Sequence, residues 1–205
     1  SGATPLVIGA IRVGIGGLFL LISAHVRGRP MPLRRIARPV ILLAGATQAL
    51  FNVAYFSGIS LTGVALGTMI AIGSAPIFAG VLGVMFNGEG LGWKWYVASA
   101  VAVGGLALLV TGCANGSAFQ VDARGVLFSL IAGFAYSLYT LLAERLVQTD
   151  PPDAVISVSF IVAVVILVPF IPAGSLGWIA QPVGMWTTLY LGLVSSGIAY
   201  MLYGR

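Results

Sequence analysis

Two apolar runs, PVILLAGATQALFNVAYFSGI (39–59) and VALGTMIAIGSAPIFAGVLGVMF (64–86), flank the short break Ser60-Leu61-Thr62-Gly63. Each run reaches the roughly 20 residues that an α-helix needs to cross a bilayer core at about 1.5 Å per residue. A break of four residues leaves room only for a reversal, so the two runs form a helical hairpin across a membrane. The same alternation continues in both directions and predicts seven spans, at 5–26, 39–59, 64–86, 95–111, 125–143, 154–171 and 185–203. Pro76 and Pro169 fall inside spans and predict kinks, whereas the other span-flanking prolines lie in or beside loops.

Composition agrees with the pattern. Of 205 residues, 59% are hydrophobic and only 7% charged, and the mean hydropathy is +1.06. A soluble domain needs about 25% charged residues to cover its surface, so a water-soluble globule is excluded and the fold class is an all-α polytopic membrane protein. The 28 glycines follow no Gly-X-Y period and read as sites of close helix packing and helix interruption. Cys113 and His25 are each single, which excludes an intrachain disulfide and a Cys- or His-rich metal cluster; no cofactor is implied. The chain begins at Ser1 and turns apolar almost at once, with Arg12 inside the first span and no basic leader ahead of it. A piece of a longer chain is therefore expected rather than a signal peptide.

Orientation follows from the basic residues, because Lys and Arg in short loops stay on the cytoplasmic side. With the 27–38 loop inside, Arg27, Arg29, Arg34, Arg35, Arg38, Lys94, Arg145 and Arg205 are cytoplasmic, and only Arg124 lies outside. The net charge of +5 is thus a topology signal and an attraction to anionic membrane lipids, not the footprint of a nucleic-acid partner.

One offset aligns spans and loops together. At 147 residues, Pro5 falls on Pro152, Leu20 on Leu167, Leu42 on Leu189 and Gly45 on Gly192. In this register the first two spans correspond to the last two, and the partners of the third, fourth and fifth lie beyond the two ends of the chain. Restoring them gives ten spans as two repeats of five. An odd number per repeat inverts the second copy relative to the first, the architecture of many secondary transporters. The repeats would divide the chain at 1–113 and 114–205.

Gly58-Ile59-Ser60-Leu61-Thr62-Gly63-Val64-Ala65-Leu66-Gly67-Thr68, running into Ile72-Gly73-Ser74-Ala75-Pro76, resembles the third-to-fourth helix segment of EamA-type carriers of the drug/metabolite transporter superfamily. Glu89 and the helix bearing Gly104-Gly105 resemble that family's helix-four-to-five turn. The stretch from Ala132 through Glu144-Arg145 is similar to its sixth helix, and Leu191-Gly192 to Tyr203 to its eighth. The resemblance covers the chain as helices two to eight of ten. It implies export or exchange of small metabolites, amino acids or drugs, with both termini cytoplasmic, in agreement with the charge count; the expected setting is a bacterial plasma membrane, with a small-molecule substrate as partner and a homo-oligomer left open.

Arg12 is the one charge well inside a span, where an Arg at mid-bilayer costs about 2.5–3.5 kcal/mol on insertion scales. It therefore faces protein, water or substrate, or snorkels toward the outer interface. Gln48, Asn52 and Tyr55 share one stripe of the second span, and they either bond neighbouring helices or line a wet cavity. Ser129, Gly133, Tyr136 and Thr140 form a comparable stripe on the fifth, with Ser137 at its margin, although such hydroxyls commonly bond their own helix backbone. Ser195 matches Gln48 through the repeat, and Ser196, Tyr200 and Tyr203 form a second stripe. The candidate substrate-binding set is Gln48, Asn52, Tyr55, Tyr136, Thr140, Ser195 and Arg12. Gly67, Gly73, Gly80 and Gly83, and Gly104-Gly105 on the next span, read as packing residues, and Glu89 as a helix cap.

Competing functions fail on particular residues. A retinal protein needs a lysine in its last span, and the single lysine, Lys94, lies in a loop. An intramembrane protease needs a Ser/His pair or two aspartates within spans, and no aspartate is in one. Gly14-Ile15-Gly16-Gly17 follows no strand and is not a nucleotide loop. A non-transporting structural or regulatory membrane protein on the same fold stands as the alternative to a secondary transporter working by alternating access.

Overall fold

The computed structural model describes residues 5–28, 38–88, 90–114, 122–171 and 182–198. Among them are seven helical elements: α1 Pro5–Val26, α2 Pro39–Thr62, α3 Val64–Asn87, α4 Trp93–Ala114, α5 Ala123–Val147, α6 Pro152–Leu167 and α7 Pro182–Leu189. Helix α6 tightens into a 3-10 turn at Val168–Phe170, and α7 runs on as a π-helix over Tyr190–Ile198. Five helices are long and apolar enough to cross a membrane, while the apolar part of α4, Trp93–Leu109, is shorter. The chain is an all-α, multi-pass membrane protein. The roles expected for Glu89, Arg29, Arg34, Arg35, Arg205, Tyr200 and Tyr203, and the side chain of Cys113, lie outside the described residues.

The hairpin of α2 and α3 is tighter than the sequence predicts. Helix α2 does not stop at Ile59. Ser60 and Thr62 donate their hydroxyls to the carbonyls of Ser57 and Gly58, at 2.8 and 2.9 Å, which keeps the last turn helical. Gly63 alone then reverses the chain, at φ 85° and ψ 156°, a backbone state that residues with a Cβ rarely adopt. At the far end of α3 another glycine, Gly88, takes φ 67° and donates its N–H to the carbonyl of Val84, a left-handed cap. Pro76 lies within α3, which continues through it as one helix to Asn87.

Two compact units make up the chain, one of residues 1–49 and 142–205 and the other of residues 50–141. In the first, α1 packs along α6 and along the π-helix. Glycines make this approach close: a Cβ on Gly17 would stand 2.9 Å from Cβ of Phe160, one on Gly16 2.6 Å from Cβ of Ser196, and one on Gly197 2.6 Å from the ring of Phe19. Phe160, Leu20, Val13 and Val155 fill the interior. Ser157 and Ser159 are buried in α6 and donate to the carbonyls of Ala154 and Val155, so neither leaves a hydroxyl bare in hydrocarbon.

One end of this unit carries two ion pairs. Arg27, just past α1, meets Asp153 at 3.0 Å, and Arg38, at the foot of α2, meets Asp150 at 3.7 Å. The Asp150 side chain is only 1% exposed, and it also accepts a bond from the Thr149 hydroxyl at 3.0 Å. These contacts place the two ends of the 27–38 loop at the same end of the unit as the α5–α6 connection, in agreement with the positive-inside assignment of both to one side.

In the second unit, α2, α3 and α5 meet over small residues. Ala54, Ala71 and Ala132 form the buried centre. A Cβ on Gly133 would stand 2.7 Å from the carbonyl oxygen of Ala71, and one on Gly58 3.2 Å from that of Gly125. The Ser137 hydroxyl donates to the carbonyl of Ala75 on α3 at 2.7 Å. Helix α4 touches α3 where the Trp95 indole covers Gly80 and Leu106 lies against Gly73. An apolar hollow of about 410 Å³ lies between α3, α4 and α5, lined by Ile70, Ile77, Phe78, Val103, Leu106 and Leu130 among others. Gly104 and Gly105 correct the sequence reading: nothing described lies within 4 Å of a Cβ at either, so among the described residues they face open space rather than a packed neighbour. Periodicity places small residues on a helix without naming the neighbour they face.

Candidate functional site

The candidate residues divide between the two units. In the second, α2 carries Phe51 and Tyr55 one turn apart, so their rings stack, with centroids 5.5 Å apart and planes 26° from parallel. Phe51 also meets Tyr136 of α5 at 5.6 Å, and Tyr55 meets Phe56 edge-on at 5.3 Å. The small centre of Ala54, Ala71 and Ala132 makes this possible, because Phe51, Tyr55 and Ile131 pack directly against it. The Tyr55 hydroxyl is paired with the Thr68 hydroxyl of α3 at 2.8 Å. Tyr136 is 41% exposed.

The polar stripe of α5 splits by burial. Ser129 and Ser137 are buried and donate to the carbonyls of Gly125 and Gly133, and Ser137 also reaches Ala75. They serve helix packing. Thr140 is exposed and donates to the carbonyl of Tyr136 at 2.9 Å, which leaves its oxygen lone pairs facing outward. Asn52, on the same unit, is wholly buried near the middle of α2.

In the first unit, Gln48 is buried. Ser195 lies in the π-helix, and its side chain is outside the described residues. Arg12 is half-buried in α1, and its Nε is shut off from solvent with no hydrogen-bond partner among the described residues. The structure thus brings Tyr55 and Tyr136 into one aromatic group through Phe51, and holds Arg12 and Gln48 in the other unit.

Two residues of the aromatic group escaped the sequence reading. Phe51 is indistinguishable by composition from any apolar core residue, and only its position four residues before Tyr55 signals a shared face. Thr68 sits beside Gly67 among the small residues of α3, and its hydroxyl gains meaning only from the partner across the hairpin. Together these groups offer aromatic faces, a phenol and threonine hydroxyls, a set that suits holding a small solute by stacking and hydrogen bonds.

A family model, the EamA-like transporter family, matches residues 1–111 and 123–204. An uncharacterized transporter of Bacillus subtilis, YwfM, is 35% identical over 205 residues, covering all of this chain and 68% of its own length. A protein of Streptantibioticus cattleyicolor described as a probable terminal-alkyne amino-acid exporter is 29% identical over 94% of this chain, which spans 64% of that relative. One solved crystal structure shares the fold, with a TM-score of 0.67 at 19% identity over 98% of this chain and 69% of that one. By the match of both segments of the chain and by its likeness to YwfM over these 205 residues, this multi-pass membrane protein belongs to the EamA-like transporter family.

Proposed function

We propose that the protein is a secondary transporter of the bacterial plasma membrane that exports or exchanges a small organic metabolite, amino acid-like or drug-like, by alternating access. The seven helices would be the second to eighth of a ten-helix fold built of two inverted five-helix repeats, divided here at 1–113 and 114–205. The reading is carried by one observation: a buried amide, Asn52, and the Phe51–Tyr55–Tyr136 ring group lie together on membrane-spanning helices, where polar side chains are costly and are kept for function. The aromatic faces would hold the apolar body of a solute, while Thr140 and the Tyr136 hydroxyl would meet its polar groups. The amino-acid exporter among the relatives supports the amino acid-like choice. Gln48 and Ser195, matched through the 147-residue offset, would stand at equivalent places in the two repeats. Chemistry of this kind binds and releases a solute without altering it, so the protein is not an enzyme in this reading.

A cysteine at position 136 tests the proposal. In sealed vesicles carrying the full-length protein, a charged membrane-impermeant thiol reagent should label Tyr136→Cys from one side or the other, and transported solute should slow the labelling. Failure to label from either side, with transport intact, would place Tyr136 against lipid or dry protein and remove the cavity on which the mechanism depends.

A further inference from the structure

We propose that Arg12 is an oxyanion anchor and that the transported solute carries a carboxylate, a substrate class that rests on the transporter reading above. The Nε of Arg12 is buried and has no hydrogen-bond partner among the described residues. A guanidinium has five N–H donors and no acceptor, so an unsatisfied position on it can be completed only by something that accepts. The acids of the unit that holds Arg12 are poorly placed for this. Within the unit that holds Arg12, Asp150 and Asp153 are joined to Arg38 and Arg27, and Arg27 is 15 residues further along from Arg12, about 22 Å at 1.5 Å per residue. Glu144, the other acid of that unit, stands in the last turns of α5, toward the same end.

Packing register shows what lies level with Arg12. Along α6, Gly14 is opposite Val164 and Gly17 opposite Phe160, so the numbers run in opposite directions and Arg12 comes level with Val165 and Ile166. That is one turn before Pro169, which has no N–H to give the carbonyl of Val165, and the helix there tightens into its 3-10 turn. Along α7, Ile15 is opposite Gly192 and Phe19 opposite Gly197, so the numbers run together and Arg12 comes level with Leu189, where the α-helix gives way to the π-helix. Both neighbours therefore leave regular α geometry at the level of Arg12, and π segments are frequent at functional sites. At this level the Arg12 Nε takes no acceptor among the described residues, these backbone carbonyls included. The position favours an oxyanion supplied from outside the unit. A carboxylate fits the planar donor fork of Arg side-on with two parallel bonds. A lipid phosphate offers the same oxygens and is the other source the test must separate.

The experiment uses the full-length protein, as wild type, Arg12→Gln and Arg12→Lys. Counterflow in proteoliposomes is measured for the twenty proteinogenic amino acids, for their carboxamides, and for ethidium as a cation without a carboxylate. Melting in phosphate-free dodecyl maltoside is followed with the same solutes and with phosphatidylglycerol. The proposal expects an amino acid to be carried at least tenfold faster than its carboxamide, and expects Arg12→Gln to lose that preference while Arg12→Lys, which keeps the charge but not the fork, recovers part of it. Amino-acid stabilisation that is lost in Arg12→Gln, without any flux, would support the anchor while the transport reading fails. Ethidium flux with no amino-acid flux or stabilisation would overturn the anchor and leave transport standing. Equal handling of acids and carboxamides, unchanged amino-acid counterflow in both variants, or a wild-type response confined to phosphatidylglycerol would each overturn it, as would the absence of any carboxylate effect on flux or melting.

Discussion

Gly14 and Gly16 stand two residues apart on α1, and the same substitution at each should have opposite effects. A Cβ on Gly14 would meet a methyl of Val164 at 3.5 Å, an ordinary van der Waals contact. A Cβ on Gly16 would meet Cβ of Ser196 at 2.6 Å and the carbonyl oxygen of Gly192 at 3.3 Å. Carbon atoms rest at about 3.5–4.0 Å, so Gly16→Ala needs α1 and the π-helix to part by about 1 Å. No rotamer change relieves it, because the obstacles are a Cβ and a backbone oxygen. Both substitutions gain the same helix propensity, about 1 kcal/mol for Gly to Ala, and that gain cancels between them. The difference is the overpacking cost, about 1–3 kcal/mol. At about 2–4 °C per kcal/mol for a chain of this size, Gly16→Ala should melt roughly 2–12 °C below Gly14→Ala in the same detergent. A Gly16→Ala protein that melts with or above Gly14→Ala would show that α1 and the π-helix do not touch as described, and would remove the register that sets Arg12 beside the helix breaks.

Breaking the Arg27–Asp153 pair with Arg27→Ala should cost about 1–3 kcal/mol, the range for a charge-assisted bond, since both groups are more than half shielded. A double-mutant cycle with Asp153→Ala checks it, and a coupling energy near zero would show the pair to be incidental. Tyr55→Phe should lose about 1 kcal/mol of stability with the bond to Thr68 while keeping the ring contact with Phe51. Melting of Tyr55→Phe, Thr68→Val and the double variant should show that the two losses do not add.

Helix existence was legible because hydropathy alone sets it. Every run read as a span contains a helix, and the ends moved where side chains competed with the loop reading: Ser60 and Thr62 satisfy the last carbonyls of α2 and carry the helix to Gly63. The α-to-π change at Tyr190 was not legible, since Leu189 and Tyr190 differ from their neighbours in no property that periodicity measures. The aromatic group was half legible for a related reason. Tyr55 and Tyr136 carry hydroxyls that look anomalous in a span, whereas Phe51, which joins them, looks like ordinary core. Polarity marks a residue as unusual, but which residue it meets depends on helix crossings that one sequence does not encode locally.

The charged residues show the same limit and turn it into an argument about Arg12. Counted in the sequence, Arg27 and Arg38 are two of eight basic residues that orient the chain, and Asp150 and Asp153 are loop acids. In the structure α6 begins at Pro152, so Asp153 lies in its first turn, where the helix N-terminus favours a carboxylate, and its partner Arg27 is 126 residues away in sequence. Asp150, almost wholly buried, is tolerable because Arg38 and the Thr149 hydroxyl face it. Burial of Asp150 and Asp153 at this end is thus matched, acid to base, by groups that belong to the unit itself. Arg12 stands about 22 Å from that end, in the same unit, half-buried and with no such acid beside it among the described residues. A unit that joins Asp150 and Asp153 to Arg38 and Arg27 at one end, and holds Arg12 without an acid partner among the described residues, is the ground for the anion site proposed above, whose occupant would bring its own negative charge.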